Sequence, residues 1–270
     1  MHENTHLEGI VFSSSAIDLV ADEIGHFFHP RSPFTRETNA MTDWTASYTQ
    51  AIANLERYSD LVDAVVAIAG HRRATLEQNA PEIRLESIAH RVRSKVPHLA
   101  SRSAIKQRGC SGLLAHMHEA IFEDMGLGGD GEIALHPDAS DLDLVLETGR
   151  GLPIACSLVY CSIAERLGID AFGIDAPGHF LVGVRDRDSM LIVDPFGEGR
   201  LVDLQEFVNL VHAFDETIDP EKALMPAPAL AWLDRWLRNL VVACDRSGES
   251  HLLPTWTSLL DETVRVLGSR

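Results

Sequence analysis

Residues 151–169 read GLPIACSLVYCSIAERLGI. Pro153 fits the first turn of a helix, where its missing N–H costs nothing, and Gly168 fits the position just past the end. Between them Ile154, Leu158, Val159, Ile163 and Leu167 spread round much of the circumference, so this helix is expected to be buried on most sides. The period then changes from 3.6 to 2. AFGID (171–175) reads as a short strand, APG (176–178) as a turn and HFLVGV (179–184) as a strand. RDRDS (185–189) reads as a polar loop and MLIVD (190–194) as another strand. The last two should form an antiparallel hairpin. With its loop centred near Arg187, facing residues have numbers summing to about 374, twice 187, which sets His179 beside Asp194 or Pro195. A slip of one residue would turn one of those side chains to the opposite face.

Working outward, helical patterns lie on both sides of the strands. SSSAIDLVADEIGHFF (13–28) offers serine caps before an apolar-periodic run, and His29-Pro30 stops it. Residues 29–42, with two prolines, read as a loop. Helix formers then continue from Asp43 to Gly70. In PEIRLESIAHRVRSKV (81–96), Leu85, Ile88 and Val92 share one face, and the basic piece HRVRSK reads as a solvated helix surface. A further helix follows Cys110 to about Met125 and ends in the glycine-rich GLGGDGE, which reads as a turn because the lysine and strand of a phosphate loop are missing. The polar stretch 136–151 leads into the opening segment, with Asp141 and Asp143 expected to be solvated. After Asp203, LQEFVNLVHAF reads as a helix, and 228–248 with 252–268 as a helical hairpin whose Trp232 and Trp236 belong to a core. Strands in one region flanked by helices make the class α+β. The expected division is a helical N-terminal region at 1–80, a core at 81–215 and a C-terminal helical hairpin at 216–270.

Composition bounds the function. The 270 residues carry a formal charge of −17, with 23 Lys and Arg against 40 Asp and Glu. The basic residues are scattered, which argues against nucleic acid as a partner. No apolar run is long enough to span a membrane, and the N-terminus lacks the build of a signal peptide, so a cytoplasmic protein is expected. Cys110, Cys156, Cys161 and Cys244 include no C-x-x-C pair. Free thiols are expected, with no metal or cofactor. His116 and His118, two apart on a helix, have poor metal geometry.

A histidine held by an aspartate is a general base with its orientation fixed. A cysteine at a helix N-terminus, where the dipole favours thiolate, would complete an acyl-transfer site. The order here is cysteine helix, histidine strand, aspartate strand. On LHPDASDLDLVLETGRGLPIACSLVYCSIAERLGI (135–169), APGHFLVGV (176–184), LIVDPFGEGRLVD (191–203) and ALAWLDRWLRNLVVACDRSG (229–248), the chain resembles the transglutaminase-like superfamily, and within it the bacterial SirB-type branch. The likeness runs over roughly residues 80–265. It implies a papain-like core of a buried helix packed on a small antiparallel sheet.

That resemblance also shows what is missing. Superfamily enzymes place the nucleophile about fifteen residues before the glycine that closes the helix, and here that position is Pro153, as in the SirB-type branch. His179 and Asp194 match the superfamily's histidine and aspartate, so the triad is degenerate. Cys156 lies one turn further along nearly the same face; it is the candidate replacement nucleophile and equally a packed core thiol. Where the branch carries an Asn-Ser pair, this chain has Ala139 and Ser140. Cys110 is a decoy, a cysteine at another helix start with no strand ending in an acid after His136.

Three functions follow from this. One is acyl transfer or amide hydrolysis with Cys156 as nucleophile, His179 as base and Asp194 as orienter, on a small-molecule or peptide substrate. Another is proton transfer by the His179–Asp194 pair alone on a small molecule. The third is a non-catalytic module that binds a protein or peptide.

Overall fold

A computed structural model describes residues 43–73, 75–129, 136–187 and 189–268, without the side chains of Arg102 and Asp245. The helix expected at 13–28 and the loop at 29–42 lie outside these residues. Eleven α-helices are described: α1 (Trp44–Ala53), α2 (Tyr58–Gly70), α3 (Ala80–Lys95), α4 (Arg102–Arg108), α5 (Ser111–His118), α6 (Leu142–Thr148), α7 (Pro153–Leu167), α8 (Leu204–Phe214), α9 (Pro220–Ala223), α10 (Ala229–Ser247) and α11 (Leu253–Leu267). Four strands, β1 (Ala171–Ile174), β2 (Leu181–Asp186), β3 (Ser189–Asp194) and β4 (Arg200–Val202), pair in chain order as an antiparallel sheet.

The opening stretch forms the helix its punctuation demands. Pro153 is the first residue of α7, and Gly168 closes it in the left-handed conformation, φ +77°, that a side chain would strain. Twelve of its residues are buried, including Cys156, Ser157, Tyr160, Cys161 and Ser162. The sheet divides the apolar residues between two layers, as the period of 2 requires. Phe180, Val182, Val184 and Val193 join α7 in a core that runs from Trp44 to Leu267 and includes Trp232, Trp236 and Trp256. Phe172, Ile174, Leu181, Ile192 and Val202 face the other way and bury Phe207 and Val211 of α8. The result is a helical body, a small sheet and a covering helix, an α+β architecture.

Several sequence expectations need correction. The segment 43–70 is two helices, because Glu56 and Arg57 turn their N–H groups to the Asp60 carboxylate, at 3.1 and 3.0 Å, and open a new helix start. The hairpin pairs Val182 with Val193 and Asp186 with Ser189, a sum of 375 instead of 374. Its tip lies at Arg187, whose positive φ of 55° tightens the turn. β2 accordingly starts at Leu181, and His179 precedes it in a turn. A fourth strand, β4, follows; three residues were too few for periodicity to reveal.

The largest correction concerns the polar stretch before α7. It contains a 3₁₀ turn (Pro137–Ser140) and α6, and both Asp141 and Asp143 are buried. Asp141 caps α6, accepting from the Asp143 N–H at 3.2 Å, and also pairs with Arg73 at 3.0 Å. Asp143 pairs with Arg73 at 3.4 Å and Arg84 at 3.3 Å. Arg72 links Asp138 to Glu249 beyond the end of α10. Asp141 and Asp143 are tolerated inside because three guanidiniums meet them, Arg72 and Arg73 just past the C-terminal end of α2 and Arg84 of α3.

Candidate functional site

His179 sits at the end of the turn Asp175–Gly178, which two tethers hold. Arg235 of α10 forms an ion pair with Asp175 and donates to the Ala176 carbonyl at 2.9 Å. On the other side, the Ser157 hydroxyl of α7 donates to the Phe180 carbonyl at 3.1 Å. The backbone on either side of His179 is thereby fixed in place although it lies outside the sheet.

Asp194 ends β3, and its Oδ1 lies 2.9 Å from His179 Nε2. The same oxygen accepts from the Gly197 N–H at 3.0 Å, while Oδ2 faces Arg200 at 3.5 Å. Arg200 is tied in turn to Glu206 of α8. Asp194 is nearly enclosed, with 7% of its side chain exposed, whereas His179 has 18%. Burial alone would raise the carboxyl's pKa, but the bonds from His179 and Gly197 and the charge of Arg200 outweigh it and hold the group below its ordinary range. An ionised Asp194 can only accept, so Nε2 of His179 carries the hydrogen they share and Nδ1 of a neutral ring is the free base.

The register explains how the contact survives the one-residue shift. Leu181 stands opposite Asp194 by extrapolation of the pairing, and His179, two residues earlier, returns to the same side. By the same count His179 falls opposite Phe196, and their rings meet edge-on with centroids 5.7 Å apart and planes at 86°.

Cys156 lies one turn inside α7 and is 0% exposed. Its Sγ faces the Gly128 carbonyl at 3.6 Å. Leu127–Gly129 crosses the start of α7: the Gly128 N–H donates to the Gly149 carbonyl at 2.9 Å, and the Gly129 N–H to the Phe196 carbonyl at 2.8 Å. Burial, reinforced by the Asp194 carboxylate and only partly opposed by Arg150 and the Gly151 N–H, pushes the Cys156 thiol up to about 12. Among the described residues it makes no hydrogen bond to His179. Pro153 occupies the first helical position, so no thiol stands where the helix start is open.

The other cysteines are enclosed as well. Cys110 precedes α5, and burial followed by the Asp186 charge raises it to about 11. Cys161 is raised by burial and Cys244, whose sulfur accepts from Trp256 Nε1 at 3.0 Å, is also raised. All four are free thiols. Ala139 accepts from the Leu152 N–H at 2.9 Å and so seats the start of α7, and beside it Ser140 is buried. His116 pairs with Glu119, while His118 reaches the Tyr160 hydroxyl at 2.7 Å. Sequence reasoning missed Arg200, Phe196 and Gly197; the signal available was their closeness in the chain to Asp194. No group of three or more potential metal-ligating side chains occurs among the described residues, and none of their helices is long and apolar enough to cross a membrane.

Comparison with known proteins identifies the family. A family model described as the transglutaminase-like superfamily matches residues 80–238, more than half of the chain. A UPF0162 protein of Xylella fastidiosa strain 9a5c is 31% identical over 67% of this chain and 63% of its own length, and that of strain Temecula1 gives the same figures. A UPF0162 protein of Pseudomonas aeruginosa is 32% identical over 52% of this chain and 48% of its own. The match thus spans less than two thirds of these relatives' length. No solved structure matches the chain.

Proposed function

This chain belongs to the transglutaminase-like superfamily, and from that premise we propose that it works through the His179–Asp194 pair, with His179 Nδ1 as a general base toward a small acyl or amide substrate. The observation that carries this reading is the 2.9 Å bond from His179 Nε2 to a carboxylate that three neighbours keep ionised. The pair activates water, or another hydroxyl brought by the substrate, by taking its proton as the new bond to the acyl carbon forms; the protonated ring then returns the proton to the leaving group. Cys156 serves as packing in this scheme, since an enclosed thiol with pKa about 12 supplies almost no thiolate at neutral pH. Pro153 at the nucleophile's place favours a second reading, a binding module that keeps the fold and has no chemistry.

Hydrolysis of p-nitrophenyl acetate tests the proposal, measured against free imidazole at equal histidine concentration. The expected result is a rate above that background which His179→Ala abolishes and Cys156→Ser leaves intact. Loss of the rate in Cys156→Ser would restore the thiol as nucleophile. A rate no higher than background, across a panel of activated esters and anilides, would favour the binding module.

A further inference from the structure

The turn after Asp194 does more than end a strand. It closes through the Gly199 N–H to the Asp194 carbonyl at 2.9 Å and the Arg200 N–H to the Gly197 carbonyl at 3.2 Å. Gly197 supplies an N–H to the carboxylate, and a Cβ at that position would stand 2.8 Å from Asp194 Oδ2. Phe196, half-buried, lies edge-on to His179 and is itself wedged: a Cβ added to Gly129 would stand 2.2 Å from the tip of its ring. Gly199 lies equally close under the ring of Phe122. One short turn therefore carries the acid, the donors that orient it and an aromatic ring against the base, and it is pinned at two glycine contacts.

Among the described residues the His179 ring makes a single hydrogen bond, to Asp194. One bond restrains an imidazole at one point, while its partner carboxylate has Gly197 and Arg200 to satisfy it without the histidine. Something else must keep the partly exposed ring from swinging into water. We propose that Phe196 is a positioning residue: its ring, held in place by Gly129, confines His179 to the rotamer that reaches Asp194 and keeps water from the bond between them. An edge-to-face pair adds directional attraction beyond the area it buries. The idea rests on His179–Asp194 as the working pair, yet its test needs no substrate.

The test follows the exchange of the His179 Nε2–H with water by NMR in the full-length protein. The expected result is a slow wild-type exchange that Phe196→Leu accelerates roughly 2- to 10-fold, the range an aromatic pair supplies. Phe196→Tyr, which restores the ring, should return it to the wild-type rate. If Phe196→Leu does not fold, Gly129→Ala, which displaces the ring, should give the same acceleration. Unchanged exchange in these variants, or a wild-type proton too fast to observe, would overturn the inference. Failure of His179→Ala to affect ester hydrolysis would instead remove the pair's catalytic role and leave the positioning role standing.

Discussion

Alkylation of Cys156 by iodoacetamide offers a quantitative check on the site. With a pKa of about 12, the thiolate fraction at pH 7 is roughly 10⁻⁵, against roughly 3% for a free cysteine near 8.5. That factor of about 3,000 is partly offset because a more basic thiolate is a better nucleophile. With a Brønsted coefficient near 0.45 the offset is about 40-fold. Chemistry alone therefore leaves Cys156 about 80-fold slower than a free thiol, and its full burial beneath Gly128 slows it further. Residue-resolved mass spectrometry of the native protein measures this directly. The rate should still be climbing tenfold per pH unit at pH 10, and Asp194→Asn should speed it, because the carboxylate's charge opposes thiolate formation. A thiol paired with His179 would behave in the opposite way. Rapid labelling below pH 7 that Asp194→Asn or His179→Ala abolishes would refute the reasoning.

Two further outcomes concern stability. Asp141→Ala removes a helix cap worth about 1 kcal/mol together with the ion pair to the one-third exposed Arg73. With the ion-pair loss taken toward the low end of its range for that exposure, the expected cost is about 2–4 kcal/mol, read as a lower midpoint in urea unfolding; a change under about 0.5 kcal/mol would mean that the network contributes nothing. Asp194, whose pKa is depressed in the folded state, adds stability that is present above the ordinary carboxylate pKa and lost as pH falls through the depressed one. The stability gap between wild type and Asp194→Asn should therefore be full near pH 7 and close below about pH 4; a gap that stays constant to pH 3 would show that the carboxylate is not held ionised by folding.

Much of the fold was legible because local chemistry and tertiary structure agree. Pro153 and Gly168 bracket α7 as their backbone preferences require, and the alternation in 181–184 and 190–194 marks two faces that the structure does bury separately. The His179–Asp194 contact survived a register error because a shift that moved the facing residue still left both groups at the same end of the hairpin. What stayed hidden depends on partners distant in sequence. Asp141 and Asp143 read as solvated until Arg73, some seventy residues away, is seen to meet them. GLGGDGE read as a turn, and only the folded arrangement shows that its Gly128 crosses the start of α7 and that a side chain at Gly129 would meet the ring of Phe196. Cys156 shared a helix face with the expected nucleophile position, but helical spacing says nothing about the strap that covers it.

The central claim is that His179 gives its Nε2–H to Asp194 and keeps Nδ1 as the available base. Long-range ¹H–¹⁵N correlation of the imidazole resonances assigns the tautomer of neutral His179 directly. The expected spectrum is that of a ring protonated on Nε2 and bare on Nδ1. A neutral ring protonated on Nδ1 would contradict it, because the hydrogen would then sit on the nitrogen meant to receive one.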